Sequence, residues 1–305
     1  MKLPSLVLFS LLLLSIRSLT SQNNCLPDGI IFTSQAEIDA FPSSYSGCAV
    51  IDGGVIIQEN QFGDITSLDS LYSIKQVNGY FQINGNLMLP SLAGLDNLES
   101  ADGGLDIFFC PAIENLDALA SLSYTSSLGL VGNASLQNVD GLSNLTTIEQ
   151  YLSIQNNAVL EDIDGLQNLN IVKDIRIIGC ALLTNLDALS NLSVDGLELI
   201  EFFSNDNLSV CDNPIVCQYL LDGGTASIFD NALGCNNQME VEDACLMVSS
   251  SEAFSSQTVQ VYPNPSGGPF HVEGINPGTP LVIYNTLGEW VHQTHLRADG
   301  RIDLS

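Results

Sequence analysis

Between about residues 55 and 210 the apolar positions keep neither a sustained helical period nor a long two-residue alternation, so no single helix or strand accounts for the stretch. It repeats as a block instead. A segment of the form aliphatic-x-aliphatic-x-x-[Asn/Cys] recurs at Phe81/Ile83/Asn86, Leu105/Ile107/Cys110, Leu128/Leu130/Asn133, Leu152/Ile154/Asn157, Ile175/Ile177/Cys180 and Ile200/Phe202/Asn205, with Val55/Ile57/Asn60 as an earlier copy. A Leu-Asp-[Gly/Ala]-Leu phrase keeps the same beat at Leu68–Leu71, Leu92–Leu95, Leu116–Leu119, Val139–Leu142, Ile163–Leu166 and Leu186–Leu189, in steps of 24, 24, 23, 24 and 23 residues. A fixed period of this length marks a solenoid. One block cannot bury its apolar side chains alone, but stacked blocks pair their aliphatic-x-aliphatic segments as parallel strands about 4.8 Å apart. The expected fold is mainly β: a right-handed parallel β-helix, or leucine-rich-repeat-like solenoid, of about seven turns.

Stacking also sorts the exceptions. The recurring Asn is a polar residue at an apolar corner, and its amide must be satisfied by turn backbone groups and by the Asn of adjacent turns. Cys110 and Cys180 replace it in that column, three turns or about 14 Å apart, so they are expected to be buried free thiols and not a bridge. Asp69, Asp117, Asp140, Asp164 and Asp187 form a second column, interrupted by Ala93. Turn-capping is the preferred reading of that column. No cofactor is required; a Ca²⁺ ion bridging the stacked carboxylates is the one candidate.

Alternation along each strand turns one set of side chains outward where the aliphatics point in. That face carries Tyr80, Gln82, Phe108, Tyr151, Gln155, Arg176 and Phe203, with Asp106, Ser153, Ile178 and Glu201 among them. Aromatics mixed with polar groups suit a protein or glycan partner.

The ends of the chain differ from its middle. Lys2, an apolar run from Leu3 to Ile16 and a small polar stretch read as a secretory signal peptide over residues 1–22. No later stretch is long enough to cross a bilayer, so the mature form is expected to lack a transmembrane segment and to be secreted or held at the outer cell surface. Export permits disulfides. Cys25 and Cys48 are expected to pair, and two bridges are expected among Cys211, Cys217, Cys235 and Cys245, in any of three pairings. After residue 248 a Ser-rich linker, 249–258, leads to period-2 segments with Pro, Gly and Asn turns over 259–305, expected to be a small partial antiparallel β-sandwich.

Charge removes several functions. Thirty-five Asp and Glu stand against 7 Lys and Arg, a formal net charge of −28. A nucleic-acid partner is excluded, because neutralising phosphates needs clustered basic residues. His271, His292 and His295 all lie after residue 270, so the repeat holds no imidazole for Ser-His-Asp or Cys-His chemistry. No catalytic residue is assigned.

On these motifs, residues 23–248 resemble the receptor L-domain, the leucine-rich-repeat-like β-helix of receptor ectodomains and bacterial surface proteins. The resemblance implies a non-catalytic binding or spacer domain. The phrase Tyr262-Pro263-Asn264-Pro265, followed by Gly268-Pro269-Phe270 and by Ile283-Tyr284-Asn285 with Gly288, resembles the C-terminal sorting domain of the type IX secretion system. That resemblance implies export through the type IX machinery. The family's further Gly-x-Tyr strand and basic terminal strand do not follow here, so 259–305 is expected to be an incomplete sorting domain. The expected function is therefore non-enzymatic binding or adhesion, with a β-helix polysaccharide lyase using Arg176 and Lys173, or a purely structural spacer, as alternatives.

Overall fold

A computed structural model describes residues 24–252, 260–262, 270–273, 280–284, 290–295 and 301–302. The predicted signal peptide, most of the predicted linker and residues 263–269 of the Tyr-Pro-Asn-Pro region lie outside the described residues. The chain divides into two compact units, Met1–Cys245 and Leu246–Ser305.

In the first unit each block lends one strand to a long parallel sheet. Its nine strands are Ile30–Phe32, Val55–Ile57, Phe81–Asn84, Leu105–Phe108, Leu128–Val131, Tyr151–Gln155, Asp174–Ile178, Leu199–Phe203 and Ala226–Phe229, each beside its sequence neighbour of the next block. The register brings Phe81, Leu105, Leu128, Leu152, Ile175 and Ile200 into one file, and all six are fully buried. A second, parallel sheet of six two-residue strands runs from Asn24–Cys25 to Thr147–Ile148. The remaining side is built by 3₁₀ turns at the Leu-Asp-Gly-Leu phrases, among them Asp69–Leu71, Asp117–Leu119, Asp140–Leu142 and Asp164–Leu166. The aliphatic columns of all sides meet in one continuous core. The mainly β, parallel solenoid-like architecture predicted from the repeat is the one that forms.

The polar columns explain why the turns stack in register. Asn133 Nδ2 donates to the Ile107 carbonyl at 2.9 Å, and its Oδ1 accepts the Cys110 N–H at 3.1 Å. Asn157 treats Leu130 and Asn133 the same way, and Asn205 does so with Ile177 and Cys180. The amides thus bind mainly the backbone of the preceding turn; only Asn205 also reaches the next amide, Asn231, at 3.0 Å. Cys110 and Cys180 are both buried and unbridged, and burial pushes each thiol up to about 11.

At the corner between the sheets the packing is backbone on backbone. A Cβ on Gly53, Gly79 or Gly103 would collide with main-chain atoms of the turn before it, so only glycine lets these turns close to strand-pairing distance.

Helices and disulfides close the ends. Helix α1 (Gln35–Ser44) lays Ile38 and Phe41 over the first turn, with Phe41 edge-on to Phe32 at 5.7 Å. Cys25 bridges Cys48 as expected. Of the three pairings open for the other four cysteines, the fold selects Cys211–Cys235 and Cys217–Cys245. Helix α2 (Pro214–Leu221) begins at Asn213, whose Oδ1 accepts the Val216 N–H at 3.0 Å, with Pro at the first helical position. Helix α3 (Gln238–Glu252) runs four residues into the stretch read as linker.

In the second unit Gln260–Tyr262 pairs antiparallel with Phe270–Glu273, which pairs with Arg301–Ile302. Pro280–Tyr284 pairs antiparallel with Trp290–His295. Among the described residues no helix is long and apolar enough to cross a membrane.

Candidate functional site

The outer face of the long sheet presents the side chains that strand alternation turns away from the core. One row reads Gln82, Asp106, Gly129, Ser153, Arg176, Glu201 and Ser227 across successive strands. The row beside it reads Asn84, Phe108, Val131, Gln155, Ile178, Phe203 and Phe229. On the other flank Tyr80 precedes its strand, and Tyr151 pairs with Asp174. Tyr80, Gln82, Phe108, Tyr151, Gln155, Arg176 and Phe203 are all half-buried on this side. The sheet therefore brings the seven candidates onto one surface.

Two outward residues are not open to solvent as alternation alone suggests. Asp106 is 2% exposed and Ser153 is also buried. For Asp106 the cause is Gly129 on the next strand: a Cβ there would strike both the Asp106 carboxyl and the Phe108 ring, which lean into the space its missing side chain leaves. Asp106 Oδ1 has no hydrogen-bond partner, and desolvation pushes its carboxyl up to about 6. Gln155 Nε2 donates to Ser153 Oγ at 2.7 Å. Phe203 and Phe229 stack at 4.6 Å with rings nearly parallel.

Arg176 is held by two carboxylates. Its Nε lies 2.9 Å from Glu201 Oε2 and a terminal nitrogen 3.1 Å from Asp174 Oδ2. A guanidinium held in two charge-assisted bonds has donors only and no lone pair for taking a proton. That bears on the lyase alternative for Arg176, one of the two basic residues it uses; the other, Lys173, pairs with Glu198 at 3.9 Å.

Beside the face opens a cavity of about 620 Å³ that sequence reasoning missed. Thr147, Glu149, Gln150, Tyr151, Ile171, Lys173, Asp174 and Glu198 line it. It forms where the short sheet gives out: after Thr147–Ile148 only an isolated bridge from Thr147 to Ile171 continues the pairing, and the next turn bends at Val194–Leu197. Strand spacing did not single it out, since the step of 25 residues between Ile175 and Ile200 is exceeded by the 26 between Val55 and Phe81. Lys173 stands 3.9 Å from Glu198 across the mouth, too exposed a pair to contribute much stability.

The aspartate column does a different job from the one predicted. Asp69, Asp117, Asp140, Asp164 and Asp187 each begin a 3₁₀ turn with an exposed side chain. The cap comes from two residues earlier: Ser67, Asn115, Asn138, Asp162 and Asn185 accept the N–H groups of these aspartates at 3.0–3.3 Å. Each carboxylate thus keeps its water, which relieves repulsion along the column. Among the described residues no group of 3 or more His, Cys, Asp or Glu converges as a metal site.

No protein-family model and no curated protein matches the chain. The site's geometry must carry the function.

Proposed function

We propose that the protein is a non-catalytic recognition or adhesion protein, secreted or held at the outer cell surface, which presents the outer face of its long sheet to a protein or glycan. One observation carries this reading: seven half-buried aromatic, amide and charged side chains, supplied by five strands of the long sheet, share a rigid face next to a 620 Å³ opening. A parallel sheet tied by side-chain ladders holds such residues in fixed positions, so little ordering cost attends binding. Three disulfides agree with a chain that leaves the reducing cytosol. Export through the type IX machinery rests on the motif resemblance at the C-terminus and on the antiparallel strands found there.

The test is a pull-down from the native cell envelope with the full chain and with Tyr151→Ser/Arg176→Ser/Phe203→Ser. A partner captured by the first and lost by the triple variant, with unchanged melting, supports the reading. Equal capture, or none by either, favours a structural spacer.

A further inference from the structure

We propose that the centre of this outer face binds a basic segment of a partner protein, seating a lysine or arginine cation against the Asp106 carboxylate. The inference rests on the recognition face proposed above and names the class of its ligand.

The first support is an unmet acceptor. Leu105 and Ile107 on either side of Asp106 point into the core, so its carboxyl stands on the outer face, over Gly129. Oδ1 is out of water and makes no hydrogen bond of good geometry; the Gly129 N–H on the neighbouring strand offsets the desolvation of the carboxyl only in part. A carboxylate oxygen left in that state is a destabilising feature that an incoming N–H donor removes, and a charged donor removes it best. The Phe108 ring closes over the same glycine. A rotamer change of this one half-buried ring admits a side chain, which is the usual scale of adjustment on binding.

The second support is charge. Each basic side chain described in the solenoid is already paired: Lys75 with Glu99, Lys173 with Glu198, and Arg176 with Asp174 and Glu201. The face thus offers an anionic ligand no free cation. Farther along the same face, three and four strands from Asp106, Asp174 and Glu201 flank Arg176, and the cavity there holds Glu149 and Glu198 with Lys173, an excess of acid over base. With a net charge of −28 behind it, this surface steers cations toward itself. Neutral sugars would gain nothing from that field. The adjoining row of Phe108, Val131, Ile178 and Phe203 adds apolar contact for residues flanking the basic one.

The experiment titrates the full chain, by calorimetry, with a synthetic peptide of alternating Lys and Val, its Glu-Val counterpart and maltoheptaose. Only the Lys-Val peptide is expected to bind, with Kd rising about tenfold between low and moderately high salt. Asp106→Asn is expected to weaken it about tenfold, whereas Asp117→Asn/Asp140→Asn/Asp164→Asn, on the 3₁₀ side, should shift Kd less than about twofold. Melting curves check that both variants fold. Equal losses in the two variants would reveal diffuse attraction and overturn the proposal, as would absence of Lys-Val binding. Maltoheptaose binding without peptide binding would overturn the cationic class yet leave the recognition face standing; only the envelope pull-down removes the face itself.

Discussion

Asp106 is the residue at which stability and recognition pull in opposite directions. Its carboxyl titrates near 6 in the folded chain, above the ordinary 3.8, because burial disfavours the charged form. Below the ordinary value both folded and unfolded chains carry the proton, and the fold bears no cost. As pH rises toward 6 the unfolded chain ionises first, so stability falls; above 6 the full cost stands, about 2–3 kcal/mol. Asp106→Asn is therefore expected to stabilise the solenoid by roughly 2 kcal/mol at neutral pH and by almost nothing at pH 4. Urea titrations at the two pH values check this, and an advantage of equal size at both would contradict it. Strand alternation was enough to place Asp106 on the outer face. Its isolation was not legible, since it depends on a glycine one turn away in space and 23 residues on in the chain.

At the scale of the element, the corner between the sheets shows how closely the turns are pressed together. Asp28-Gly29, Asp52-Gly53, Asn78-Gly79 and Asp102-Gly103 recur in steps of 24, 26 and 24 residues, a second beat that the sequence carries openly. Its meaning needs the stack: Gly53, Gly79 and Gly103 each face the main chain of the preceding turn, and Gly29, in the first turn, faces that of the next. Gly79→Ala is expected to lower stability by about 2–4 kcal/mol, because backbone cannot move aside as a side chain can. Gly85→Ala is the informative contrast. Gly85 has φ +68° and nothing near its would-be Cβ, so only backbone strain of about 1–2 kcal/mol is expected. Denaturant midpoints of the pair measure the difference; equal losses would mean that the corner is not the close contact described. The Asn ladder was read correctly as a satisfied polar column, but which groups satisfy it depended on turn geometry, and the backbone took most of the bonds.

For the whole molecule, the two units carry separate tasks in the function proposed. If the C-terminal unit is an export address, deleting residues 259–305 should leave a folded, disulfide-bonded solenoid in the periplasm, as fractionation and non-reducing electrophoresis would detect. Release of the truncated chain to the surface would refute that assignment. The block length, the identity of the core residues and the side of each strand that faces inward were all legible along the chain. Each is a consequence of local alternation repeated at constant spacing, and a repeat of constant length needs no further information to stack. The pairing of Cys211 with Cys235 and Cys217 with Cys245, the cavity between Thr147 and Glu198, the neutralisation of Arg176 and the solitary Asp106 oxygen belong to another order of fact. They arise between turns, where the small offset of one block against the next decides which side chains meet, and such offsets exist only once the chain has been wound.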